Sequence, residues 1–184
     1  VYSNPSRTKN TLNLHVKAFD KLLNFDSDEA GKYLFYGINK SKAYLVFYSA
    51  KTKKMPTLLT EVNLLDIRLF NGVVYYAVND DAKTYLVSYN TTSDTLLSLG
   101  RCSSFKFLDM DSASINFSTN VTGLNQVYHY DLGSTNLNAL TDFTHHASSI
   151  TSSRGSESCY YTKGIFSEIK TFITPLHNVD TNVL

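Results

Sequence analysis

The chain has 184 residues, 42% of them hydrophobic, and sets 17 basic against 16 acidic side chains for a net charge of +1. That suits one packed domain or repeat array and argues against disorder. The near-neutral charge gives no field for steering nucleic acid or an anionic membrane, and no apolar run approaches the ~20 residues that span a bilayer.

Thirteen tyrosines and eleven phenylalanines, with no tryptophan, favour strands, because aromatic and β-branched side chains pack well on a pleated surface. The chain opens at Val1 without a charged-then-apolar leader, which fits either a removed signal segment or a piece of a longer chain. Residues 1–17 read as an N-terminal arm, with NTLNLHVK (10–17) as a spare strand. Only 11–24 has spacing that suits a helix, and Leu12, Leu14 and Val16 suit a strand equally well.

From about residue 18 the strands come in sets. The first set is KLLNFD (21–26), KYLFYGIN (32–39), KAYLVFYSA (42–50) and PTLLTEV (56–62). The second is DIRLFN (66–71), GVVYYAVND (72–80), KTYLVSYNT (83–91) and DTLLSLG (94–100). The third is FKFLDM (105–110), SASINFSTN (112–120), LNQVYHYDL (124–132) and NLNALTDF (136–143). The fourth is ASSITS (147–152), ESCYYTKG (157–164), EIKTFITPL (168–176) and a marginal NVDTNVL (178–184). Turn formers join the second and third strands each time: Asn39-Lys40-Ser41, Asn79-Asp80-Asp81, Thr122-Gly123 and Lys163-Gly164.

Tyr48, Tyr89 and Tyr130 stand 41 residues apart and set the register of the repeat, with Phe172 or Ile173 in the tyrosine's place in the fourth copy. A lone four-stranded sheet of this composition cannot bury both faces, so the units must stack. The expected fold is therefore all-β: a β-propeller array over 18–184, of four tandem four-stranded blades of about 41 residues. It is either a closed four-bladed ring or part of a larger one. Residues 10–17 are a candidate closing strand beside 168–176 or the C-terminal strand.

The stretch 124–164 resembles the WD40-like repeat of TolB-type and prolyl-oligopeptidase-family propellers. Gln126, Tyr128, Tyr130, Asp131, Leu132, Leu140, Thr141 and Gly155 carry the likeness, while Ser153-Arg154 replaces the family's usual Pro-Asp. Residues 73–99 also look like propellers of the low-density-lipoprotein-receptor type, without their Trp-Thr-Asp. The resemblance implies fold and not activity, because propellers host many functions.

Catalytic motifs are missing. No Gly-x-Ser-x-Gly turn is present, and Gly155-Ser-Glu-Ser-Cys159 lacks the closing glycine. His145 and His146, adjacent on a β segment, point to opposite faces and do not converge on one metal. His15, His129 and His177 are single, and His129 reads as a sheet-face residue. Asp26-Ser-Asp28-Glu29, Asn79-Asp80-Asp81 and Asp109-Met-Asp111 read as turn oxygens rather than a calcium loop. Lys51, Lys53 and Lys54 read as a solvated, edge-protecting turn. Cys102 and Cys159 read as free thiols, with a single bridge as the alternative. No cofactor, metal or catalytic residue is expected.

Sequons at Asn39, Asn90, Asn116 and Asn120 permit a secreted, periplasmic or cell-surface location without showing it, and Asn116 lies mid-strand. The leading expectation is a non-catalytic module that binds a protein or extended ligand through one loop face. Its candidate residues are Asn39, Lys40, Ser41, Asn79, Asp80, Asp81, Thr122, Gly123 and Lys163. The alternatives are the propeller part of a prolyl-oligopeptidase-like serine hydrolase, gating substrate access, and a sugar-binding propeller. Equivalent loops would be alike in the last case, and these are not. An open ring predicts pairing into a homodimer.

Overall fold

A computed structural model describes residues 19–141, apart from 29, 53, 55 and 61, together with the backbone of three strands between 147 and 175. Every regular element among the described residues is a strand. The first sheet is β1 (Lys21–Ser27), β2 (Lys32–Asn39), β3 (Lys42–Ser49) and β4 (Thr57–Thr60). The second is β5 (Leu64–Phe70), β6 (Val73–Asn79), β7 (Lys83–Tyr89) and β8 (Ser93–Gly100). The third is β9 (Phe105–Met110), β10 (Ser114–Thr119), β11 (Gln126–Asp131) and β12 (Leu137–Ala139). β13 (Ala147–Thr151), β14 (Ser158–Ile165) and β15 (Glu168–Pro175) form a three-stranded fourth sheet. Each sheet is an antiparallel meander, its strands paired in chain order. The marginal strand at 178–184 and the candidate closing strand at 10–17 lie outside the described residues.

The tyrosine register survives in three dimensions. Tyr33 pairs with Tyr48, Val74 with Tyr89 and Ile115 with Tyr130, so both partners step by 41. One boundary moves. β14 continues to Ile165, which pairs with Glu168, so Lys163 stands inside the strand opposite Lys170 and not in the turn. The alternation at 158–165 simply runs past Gly164 before the chain reverses.

Side chains alternate across a strand, so each sheet has a forward face toward the next sheet in the chain and a backward face. Leu34, Tyr36 and Leu45 on the forward face of the first sheet join Leu64, Ile67, Leu69, Val74 and Tyr76 of the second. Tyr75, Ala77 and Leu86 on the forward face of the second join Phe105, Phe107, Ile115, Phe117, Tyr128 and Tyr130 of the third. Phe117 stacks between Phe105 and Tyr128, with ring centroids 4.7 and 5.7 Å away. Burying one such ring contributes ~1.5–3 kcal/mol.

Between the sheets the contact runs through the first strands, with β5 packed on both β1 and β9. Two acids from these strands tie it together. Asp26 Oδ2 accepts the Leu69 N–H at 2.7 Å and lies 4.0 Å from the Arg68 guanidinium. Asp66 accepts from Asn24 Nδ2 at 2.7 Å on one side and from the Phe107 N–H at 2.8 Å on the other. Burial pushes the Asp66 carboxyl above its ordinary value, against the lowering effect of these donors and of Arg68.

Candidate functional site

The end of the molecule that carries the β2–β3, β6–β7 and β10–β11 hairpins is shaped by turn chemistry. Lys40 and Ser41 both have positive φ, 48° and 65°, as a two-residue type I′ hairpin requires. The Lys40 N–H is held by Asp20 Oδ2 at 2.7 Å. In the next hairpin Asp80 N–H donates to the Lys83 carbonyl at 2.9 Å, and Asp80 Oδ1 accepts the Asp81 N–H at 2.8 Å. In the third, Gly123 sits at φ +93° and donates to the Asn120 carbonyl at 2.8 Å. Lys40, Ser41, Asp80, Asp81, Thr122 and Gly123 are exposed, and Asn39 is half-buried.

Among the described residues, clefts open at this end where the first sheet meets the second and where the second meets the third. The first, of about 590 Å³, is lined by Leu23, Tyr36, Ile38, Ser41, Lys42 and Asn63, among others. The second, of about 350 Å³, is lined by Asn79, Arg101, Cys102, Ser103 and Asn120. They are equivalent places: Ile38 opposite Ala43 and Asn79 opposite Thr84 hold the same register, 41 residues apart. Their chemistry differs, the first being walled largely by apolar side chains and the second by polar ones.

Asn79 is less available than its place near a turn suggests. Its Nδ2 donates to the Cys102 carbonyl at 2.9 Å, and its Oδ1 accepts from Thr84 Oγ1 at 2.6 Å. Thr84 Oγ1 in turn accepts the Cys102 N–H at 3.0 Å. Asn120, one repeat later, accepts from the Ser103 and Ser104 N–H groups, each at 3.0 Å. Both amides pin the link between the second and third sheets. The floor is thus fixed, and the exposed groups are Ser41 and Lys42 at the first cleft and the Asp81–Arg101 rim at the second. Arg101 Nη1 donates to the Asp81 carbonyl at 2.8 Å, which keeps its guanidinium at the mouth. Leu23, Lys42, Asn63 and Arg101 are lining residues that motif reading misses. The signal within reach was the pair of asparagines 41 residues apart, each closing a strand.

The other candidates resolve into structural roles. Asp28 Oδ1 accepts the Lys32 N–H at 2.9 Å, and Asp111 Oδ1 accepts the Ala113 and Ser114 N–H groups, each at 2.7 Å, so these oxygens close turns. Asp109 is buried. His129 Nδ1 lies 2.9 Å from Asn116 Oδ1 on the forward face of the third sheet. Asn116 is 1% exposed, so its sequon cannot carry a glycan in the folded chain. Cys102 is a buried free thiol with Sγ 3.1 Å from Thr84 Oγ1. Lys51 and Lys54 are exposed at the opposite end of the first sheet. The His145-His146 pair and Gly155 fall outside the described residues. Among the described residues no three His, Cys, Asp or Glu side chains group where they could hold a metal, and no helix is long and apolar enough to cross a membrane.

Burial and the nearby Asp131 push the Tyr130 phenol up, and the Ser134 donors hold the Asp131 carboxyl below its ordinary value. Neither group lines a cleft.

No protein-family model and no curated protein matches the sequence. Solved structures do. TolB from Acinetobacter baumannii superposes with a TM-score of 0.65 at 12% identity, over 83% of this chain and 41% of that one. The β-propeller domain of the Trilobed protease from Pyrococcus furiosus gives 0.61 at 12%, over 84% and 54%. A prolyl endopeptidase gives 0.65 at 13%, over 88% and 29%. The chain thus spans less than two thirds of each of these proteins. At such identities the likeness is one of fold, and the fold is that of the β-propellers of TolB and the prolyl peptidases.

Proposed function

We propose that this chain is an interaction module that holds a protein or extended peptide across the hairpin end, one segment of it entering each cleft. The observation that carries the reading is the repetition: two equivalent clefts one repeat apart, each with a cation at its mouth, Lys42 or Arg101. A ligand laid across both would meet an apolar wall first and a polar one next. That gives direction as well as affinity. Lys40, Ser41, Asp80, Asp81, Thr122 and Gly123 form its rim.

Selection of peptides from a display library on the intact chain tests it. Lys42→Glu and Arg101→Glu should each weaken the selected peptides at least ~10-fold, about 1.4 kcal/mol. Lys54→Glu, at the opposite end, should leave them unchanged. Peptides that bind all three variants alike would remove the hairpin end as the site.

A second reading draws on the matched peptidases. Prolyl endopeptidase and the acylaminoacyl peptidase of Pyrococcus horikoshii are covered over 29% and 30% of their lengths. Here the array would be the propeller portion of a serine hydrolase and would filter access to its site. An α/β-hydrolase segment with a nucleophile turn in the same reading frame is the expected outcome, and a stop codon directly after Leu184 counts against it.

A further inference from the structure

One cross-strand pair recurs in the first three sheets with different side chains. Phe35 stands opposite Val46, Tyr76 opposite Val87 and Phe117 opposite Tyr128, each pair 41 residues from the last. In the third sheet the Tyr128 ring stacks on Phe117, centroids 5.7 Å apart, and its hydroxyl donates to Gln126 Oε1 at 3.3 Å. In the second sheet Val87 stands where that tyrosine would be, and a groove of about 330 Å³ opens against Tyr76 on the backward face. Val78, Tyr85, Val87 and Thr95 line it, with Asp80 at the hairpin end. Phe47 of the first sheet packs against the same cluster, and the groove still remains open. The counterparts of Tyr76 are phenylalanines, so its hydroxyl is peculiar to this sheet. Tyr76 is 5% exposed, and among the described residues its hydroxyl has no hydrogen-bond partner. Tyr36 and Tyr130, buried likewise, donate to the Val62 and Leu96 carbonyls at 2.9 and 2.7 Å. A buried hydroxyl without a partner costs free energy that a bound acceptor recovers.

We propose that this groove holds an extended peptide segment with an aromatic side chain and, two residues along, a basic one. The ring fills the place that Tyr128 fills in the third sheet, and a peptide carbonyl beside it accepts from Tyr76 Oη. Asp80 follows β6 four residues beyond Tyr76 and on the same face, about 13 Å away at the rise of a strand. In an extended peptide, side chains two positions apart share a face about 7 Å apart, and the long arm of an arginine spans the rest. Asp80 is exposed, and its Oδ1 takes the Asp81 N–H, which leaves the other carboxylate oxygen for the cation. The groove shares only Asp80 with the hairpin-end rim and is independent of that reading.

Amide NMR of the 184-residue chain, titrated with acetyl-Phe-Ser-Arg-amide, tests it. The peptide should shift the Tyr76, Val87 and Thr95 signals saturably, with a Kd on the order of 1 mM. Acetyl-Ala-Ser-Arg-amide, with no ring to bury, should bind at least ~10-fold more weakly. Acetyl-Phe-Ser-Glu-amide, with the wrong charge for an exposed carboxylate, should bind ~3-fold more weakly. Val87→Tyr gives the second sheet the third sheet's own ring and should abolish the shifts with an unchanged circular dichroism spectrum. Asp80→Asn keeps the oxygen that accepts from Asp81 and should bring the Arg and Glu peptides level. A wild-type chain without saturable shifts up to about 10 mM overturns the proposal. So do three peptides that bind alike, or a folded Val87→Tyr chain that still binds. Should Val87→Tyr fail to fold, Asp80→Asn decides, and an undiminished preference for the Arg peptide overturns the proposal.

Discussion

The second and third sheets are built on one register but differ in the chemistry of their forward faces. Where the second sheet shows Tyr75, Ala77 and Leu86, the third shows Asn116, Ser118 and Val127, each 41 residues on. All six are buried. The apolar set joins a cluster of rings whose attraction is non-directional and scales with area. The third-sheet set, polar at Asn116 and Ser118, adds a directional contact, Asn116 to His129 at 2.9 Å, that holds only at one alignment. A repeat can therefore keep its backbone constant while exchanging adhesive strength for positional demand.

The comparison can be broken in steps. The largest expected effect is on the apolar seam. Phe117→Ala, at a 0% exposed ring stacked on both sides, should cost about 3–5 kcal/mol, read from the urea midpoint. Asn116→Ala, at an equally buried site, should cost about 1–3 kcal/mol, because it leaves the His129 nitrogen without its partner while removing little area. If the asparagine costs as much as the phenylalanine, the division into adhesive and positional faces is wrong.

The smallest effect is a slope against pH. Folding raises the Asp66 carboxyl above 3.8, so its contribution is fully present below that value and is lost as pH rises through the folded value. Asp66→Asn removes the titration and, apart from a constant offset, should gain on wild type as pH rises across that window. Paired urea midpoints from about pH 3 to 7 check it, and a wild type that gains on the variant as pH rises contradicts it.

Much of the architecture was legible because period-2 alternation and a fixed 41-residue step are properties of the chain itself. The pairs Tyr33–Tyr48, Val74–Tyr89 and Ile115–Tyr130 fall where the tyrosine register puts them. The hairpin end was legible in its turns but not in its chemistry. Asn79 looks like a turn residue in a string, yet it bonds Cys102, 23 positions away. Arg101 lies outside every motif and reaches the cleft because the link from β8 to β9 folds back beside the β6–β7 turn. Lys163 shows the converse error, where a Lys-Gly pair reads as a stop although the strand needs none. Nor does any local pattern distinguish the exposed Phe25 from the buried Phe107, because burial depends on contacts made across sheets rather than along the strand.

Asp66 carries a consequence for how the array comes apart. In stacked-repeat proteins each unit senses only its immediate neighbours, so stability propagates pairwise and ends can melt alone. Here one carboxylate in the second sheet is shared between Asn24 of the first and Phe107 of the third. Losing either outer sheet strips a donor from a charge that the other still has to bury. The three sheets are thereby joined in one cooperative transition, in which fraying of a single blade is penalised two sheets away.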